Sequence, residues 1–397
     1  MVGFSPGKVV LVVLSVFGAV CPSYGAIRSW LLDPPNEDRW LVANRWSGSA
    51  LPTGDDEARI VNGGTALIQS GDSTPVTWKL YVGCTQDPSQ LSIAGQNARL
   101  RAVLKGYDDP EVYIGYAGAE GTWPSGRLTI QSGGELVVGD TATTYAKVGV
   151  AYGDDTQGVS SITDGRLEIP YPVIQYDPHL FIAHGDRAEA TVDIKGGSAY
   201  TTNVKVGGLV STGGYYWSPS YNTGQDSVTT LTVSDNARIE VGTLELSQHP
   251  ESHTDLTMTS GEIKATGGSG SGIIRIANRG SAEVTHTGGT ISATRFLHIA
   301  GHDPGAYAHY VLDGPTAVLA GGSDYSWMGL AVGEEGTAEF EHKNGTCTSG
   351  AGLYVGSDSG GPGPIHRQVG LLTQGTPDLY SVGSWGQPVN TYSKPAP

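Results

Sequence analysis

Short runs of alternating apolar and polar residues recur along this chain. In the stretch Arg127–Gly149, Leu128 and Ile130 alternate with polar residues, Gly133-Gly134 interrupts, Leu136 and Val138 alternate again, and after a polar link Val148 opens a third run. Alternation of this length, broken by turn residues, predicts strand, corner, strand, loop and strand.

The pattern repeats with variations. Copies of the first two runs begin at Ala58, Leu91, Leu128, Val159, Ala190, Leu231, Leu256, Ala282, Tyr310, Ala338 and Gln368. From Gly64 to Gly375 they recur with a mean period of about 31 residues, within the range of repeat architectures. A third run lies between copies and usually ends in Gly or Ala, as in Leu80–Gly83, Val112–Gly115 and Leu180–Ala183. Three short strands per period predict an all-β, right-handed parallel β-helix (β-solenoid) of about eleven coils. A propeller fits less well, because its blades need four antiparallel strands. The glycine pairs are expected at corners, where Gly, Asn and Asp take positive φ cheaply. Ala26–Glu57, punctuated by Trp30, Trp40 and Trp46, is expected to cap the open first edge of the stack. The expected domain organisation is a signal peptide at 1–25, an N-terminal cap at 26–57, the repeats at 58–383 and a polar, Pro-containing tail at 384–397.

Composition narrows the partners. The chain has 59 Gly but only 3 Met and 5 Phe, which suits a long, thin aliphatic core. The formal charge of −16 is spread along the chain, so nucleic acid phosphates would be repelled. Lys8 followed by the apolar run Val9–Cys21 and the small residues before Ala26 read as a secretory signal, predicting a secreted or cell-surface location. No later stretch is long and apolar enough for a transmembrane segment. Cys84 and Cys347 are separated by about eight or nine repeats, on the order of 40 Å at the usual strand spacing, so no disulfide between them is expected.

A resemblance rests on Trp40, Asn44-Arg45-Trp46, Pro52, Asp55-Asp56 and Ala58–Ala66, followed by the Leu-Thr-Ile-x-x-Gly-Gly and Val-Gly repeats. Over about residues 40–383 these resemble secreted bacterial β-strand-repeat proteins of the autotransporter-passenger and PEP-CTERM-associated type, of the planctomycete and verrucomicrobial kind. The resemblance implies an extracellular or surface role. The chain departs from it in lacking a translocating barrel and a C-terminal sorting anchor.

Candidate chemistry lies on the loops. Asp154-Asp155, Asp186, Asp303, Glu334-Glu335 and Asp358 occupy comparable places after the third run; they are read as solvated carboxylates, with weak Ca²⁺ sites as the alternative and no other cofactor expected. His298, His302, Asp303 and His309 form the densest histidine group, and Asp186, His302 and Asp303 are the alternative catalytic candidates. No Ser-His-Asp constellation can be singled out, because Ser and Asp are abundant throughout. The most distinctive loop, Gly213–Asp226, carries Tyr215, Tyr216, Trp217 and Tyr221; with Trp123 these are the candidate ligand-binding aromatics.

The leading expectation is a non-catalytic extracellular β-solenoid with a structural or adhesive role, binding glycans or cell-surface polysaccharide through these loops. The alternative is a carbohydrate-active enzyme, a polysaccharide lyase or glycoside hydrolase.

Overall fold

The computed structural model describes residues 25–355, except 85–87, 106–107, 118–123, 140–145, 171–177, 198–202, 214, 219–220, 268–270, 302, 323–328, 334–335 and 352, together with 372–373, 381–382 and 390–391. The described residues form one 30-stranded sheet and two small two-stranded antiparallel ribbons. Within the large sheet, strands pair in parallel with strands one period away in sequence. Ile130, for example, is the register partner of Ile93 on one side and Ile162 on the other. The alternating pattern dictates this register, since a one-residue slip would turn every aliphatic side chain outward.

Inward side chains therefore line up in columns. Ile68, Ile93, Ile130, Ile162, Ile194, Val233 and Met258 follow one another across the first run. Leu100, Leu136, Leu167, Val204 and Ile239 do the same across the second. Leu80, Val112, Val148, Leu180, Val210 and Leu244 follow across the third. These residues belong to one buried core, and a small apolar cavity of about 30 Å³ is lined by members of all three runs, including Ile162, Leu167 and Leu180. Each buried Leu, Ile or Val contributes roughly 1.5–3 kcal/mol.

The eleven-coil architecture expected from the repeat is corrected. The strands join in a single extensive parallel sheet, open rather than closed on itself, that does not resolve into repeating coils of three short strands. The physical reason lies at the presumed corners. Ser281–Ala293 runs as one strand of 13 residues through Gly288-Gly289, and Tyr307–Gly321 as one of 15 residues through Asp313-Gly314. Their backbones stay laddered to each other, with one register shift between His286 and Gly288. Val204–Thr212 likewise passes through Gly207-Gly208. The likeness to coiled β-strand-repeat proteins is corrected with it, because the wound architecture that it implies is not the one found.

At the N-terminal end, Ile27–Ser29 pairs with Glu57–Ile60 and Glu37–Arg39 with Thr65–Gln69. Trp30, Trp40 and Trp46 are fully buried there, with Trp46 set edge-on to both others at centroid distances of 5.0 and 4.6 Å. The Trp46 indole N–H donates to the Trp40 carbonyl at 2.8 Å. No secretion signature is found among the described residues, and the expected signal segment, 1–25, lies almost wholly outside them. Among the described residues no helix is long and apolar enough to cross a membrane.

Candidate functional site

The outward positions of the third-run strands carry the densest functional chemistry. In register order they read Tyr81, Tyr113, Gly149, Phe181, Ser211, Glu245, Arg275 and His298. A second column comes from the corner that ends these strands. Gly83, Gly115, Ala151, Ala183, Ser247 and Ala277 all have φ between 51° and 73°, the left-handed region. That turn places the following side chain beside the outward residue of the same strand, so Tyr116 lies against Tyr113. An alanine in this conformation costs about 1–2 kcal/mol. Glycine is needed at Gly115, where a Cβ would lie 2.1 Å from the Gln157 carbonyl oxygen.

Over the first four of these strands the two columns form a strip of six rings: Tyr81, Tyr113, Tyr116, Tyr152, Phe181 and His184. Centroids of neighbouring rings are 4.7 to 6.2 Å apart. Tyr116 and Tyr152 stack with their planes 16° apart, and Tyr152 and His184 with theirs 6° apart. Gly149 makes the space: a Cβ there would come within 2.7 Å of the Tyr113 ring and 2.9 Å of Tyr152. Tyr113 and Phe181 are buried beneath the strip, while Tyr81, Tyr116, Tyr152 and His184 are half-buried along it.

The strip is uncharged at neutral pH. Burial raises the Tyr81 and Tyr113 phenols well above their ordinary value and raises the Tyr152 phenol too, and the nearby carboxylate of Glu111 adds to this. Burial pushes His184 down to about 4, so its imidazole is neutral. Cys84, at the same corner position one strand before Tyr116, is pushed up to about 12 by burial and is a free thiol. Charge is confined to the border, where Lys79 pairs with Glu111 at 2.6 Å and the Arg59 guanidinium lies 5.6 Å from the Tyr81 ring centre.

Further along the same columns the chemistry changes. Glu245, only 9% exposed, accepts hydrogen bonds from Gln248 and Arg275 and a longer one, 3.5 Å, from Asn278. Arg275 also lies 5.4 Å from the centre of Phe296, whose ring stacks on His298 at 4.3 Å. This end is a knit of polar groups whose donors converge on Glu245.

The residues chosen from sequence are dispersed. Tyr215–Ser218 and Tyr221–Thr223 form an antiparallel hairpin that leaves the sheet just after Val204–Thr212, between the aromatic and polar halves; this is where Tyr215, Tyr216, Trp217 and Tyr221 sit. Trp123 and His302 lie outside the described residues. Asp186 accepts from the backbone N–H groups of Gly224 and Gln225 at 3.0 Å each, while its own N–H donates to Asp154, so these acids stitch successive turns together. Asp155 pairs bidentately with Arg187. Asp303 closes its own turn on Gly305 N–H. Asp186 and Asp303 follow strands four steps apart, roughly 19 Å, so they do not converge. Glu334, Glu335 and Asp358 are outside the described residues. Among the described residues no group of His, Cys, Asp and Glu is arranged to hold a metal ion.

Sequence reasoning does not bring the members of the strip or of the polar knit together. Their only signal was the outward residue of each third run, such as Tyr81 in Leu80–Gly83, which repeats at a distance of one period.

No family model, no curated protein and no solved structure matches this chain. With the wound architecture gone and no metal cluster among the described residues, neither the structural or adhesive solenoid role nor the polysaccharide lyase or glycosidase alternative keeps its support.

Proposed function

We propose that the protein binds a polysaccharide chain along the aromatic strip. The observation that carries this is the continuous run of Tyr81, Tyr113, Tyr116, Tyr152, Phe181 and His184 across four adjacent strands. A sugar ring has an apolar face and a polar rim, and amphipathic aromatic side chains meet both needs, the ring face by stacking and the phenol by hydrogen bonding. Rings repeated at the strand spacing suit a polymer whose units recur on that scale, lying across the strands. The unionised phenols act as donors to sugar hydroxyls, and the absence of a net charge along the strip favours a neutral chain over a polyanion. An extracellular setting belongs to the proposal, on the pattern of Lys8 and Val9–Cys21.

Affinity electrophoresis through gels containing neutral or acidic polysaccharides tests this reading. Retardation by a neutral polymer, lost in the Tyr116→Ala/Tyr152→Ala double variant, is the expected result. Unchanged mobility of the native protein in every gel would refute it.

A further inference from the structure

On a different face, the parallel register assembles a hydrogen-bonded Ser-His-Asp relay. His253 and Asp255 are two apart on the strand His253–Met258, so both point outward. Ser281 is the register partner of His253 on the next strand. The His253 imidazole bridges them, with Nδ1 2.8 Å from Ser281 Oγ and Nε2 3.1 Å from Asp255 Oδ1. With Nε2–H donating to the carboxylate, the Nδ1 lone pair faces the serine O–H, the tautomer that a general base for serine requires.

We propose that Ser281, His253 and Asp255 are a nucleophilic site for carboxylic esters. Ser281 Oγ bonds to the ester carbonyl carbon while its proton passes to His253 Nδ1. The bond from that carbon to the alkoxide oxygen then breaks, and the alkoxide leaves with the proton from Nδ1. Water adds to the acyl carbon, giving a proton to Nδ1. Ser281 Oγ departs and recovers that proton, releasing the carboxylic acid. Asp255 holds the imidazole in its tautomer and balances the imidazolium charge.

The surroundings indicate the substrate class. His253 is 35% and Asp255 48% exposed at their side chains, with Ser281 half-buried beside them, so the relay borders solvent. Along the same register column, Val228 lies on one side and Tyr307 on the other, giving apolar contact to a short acyl group. One strand step away, Glu283 is the partner of Asp255 and bonds His309 at 2.7 Å, so the second histidine is engaged elsewhere. A small, activated acyl ester fits this open site. The inference is independent of the aromatic strip.

The test is hydrolysis of p-nitrophenyl acetate by the full chain, with mass-spectrometric mapping of a fluorophosphonate adduct. We expect a nitrophenolate burst of about one per protein and an adduct on Ser281. Both should vanish in Ser281→Ala, and the burst rate should fall at least about 100-fold in His253→Gln and Asp255→Asn with circular dichroism unchanged. A burst that survives in Ser281→Ala, or an adduct absent from Ser281 in the native protein, would overturn the proposal.

Discussion

The two halves of the outward third-run face share one backbone and differ in side chains. Both are built from parallel strands ending in a left-handed corner residue, Gly115 and Ala151 in one half and Ser247 and Ala277 in the other. In the aromatic half this geometry places rings against rings and leaves several of their edges in solvent. In the polar half it places Gln248 and Asn278 around Glu245, whose carboxylate is consumed by internal donors. The comparison separates a surface available to a ligand from one occupied with itself. The same turn serves recognition in the first case and cohesion in the second.

Removing the hub of the polar half should have the largest effect. Glu245→Ala leaves the largely buried Arg275 without its carboxylate, and breaking a buried pair from one side costs about 3–5 kcal/mol. Chemical denaturation should show that loss, while polysaccharide affinity per folded molecule stays unchanged. An effect below about 1 kcal/mol would mean that the knit does not hold this half together.

Gly149→Val comes next. Its new Cβ would crowd Tyr113 and Tyr152, and overpacking typically costs about 1–3 kcal/mol. Near-ultraviolet circular dichroism should report displaced tyrosines, and binding should fall more than stability does. Single truncation of a half-buried ring, Tyr116→Ala, should weaken binding about tenfold, near 1.4 kcal/mol, with a smaller change in the unfolding midpoint.

The smallest effect at neutral pH concerns His184. Its folded pKa, about 4, lies below the ordinary value of 6.5, so the unfolded chain binds the extra proton first as pH falls. Stability from this residue is therefore complete above about pH 6.5 and is lost progressively down to about pH 4. His249 and His286 are also lowered by burial and act in the same direction. Urea midpoints measured across this window should fall less steeply in His184→Phe than in the native chain; parallel curves would remove His184 from the acid response.

Much of the core was legible in the repeat. The alternation of Leu128 with Ile130, and of Leu136 with Val138, predicts which side chains face inward, and all four are buried. Cys347 continues the column of Ile291 and Leu319, the position at which the repeat places an aliphatic residue. The architecture departs from the expectation at Gly288-Gly289 and Asp313-Gly314, where corners between sheets are predicted and single strands are found. A glycine permits a corner without requiring one, and here the ladder resumes beyond both sites after one register shift, which leaves Asp313-Gly314 unpaired. The aromatic strip was hidden because its members are about 30 residues apart, whereas Tyr215, Tyr216 and Trp217 drew notice by being adjacent. Ser281 and His253 were hidden likewise: the parallel register brings together side chains 28 positions apart, 2.8 Å from each other.

Isothermal titration of a neutral polysaccharide against the native chain, Tyr152→Ala and Gln248→Ala tests the division of the face most directly. Binding that drops at least about tenfold in Tyr152→Ala and is retained in Gln248→Ala is the predicted result. Binding retained in Tyr152→Ala but lost in Gln248→Ala would place recognition in the polar half and contradict the account.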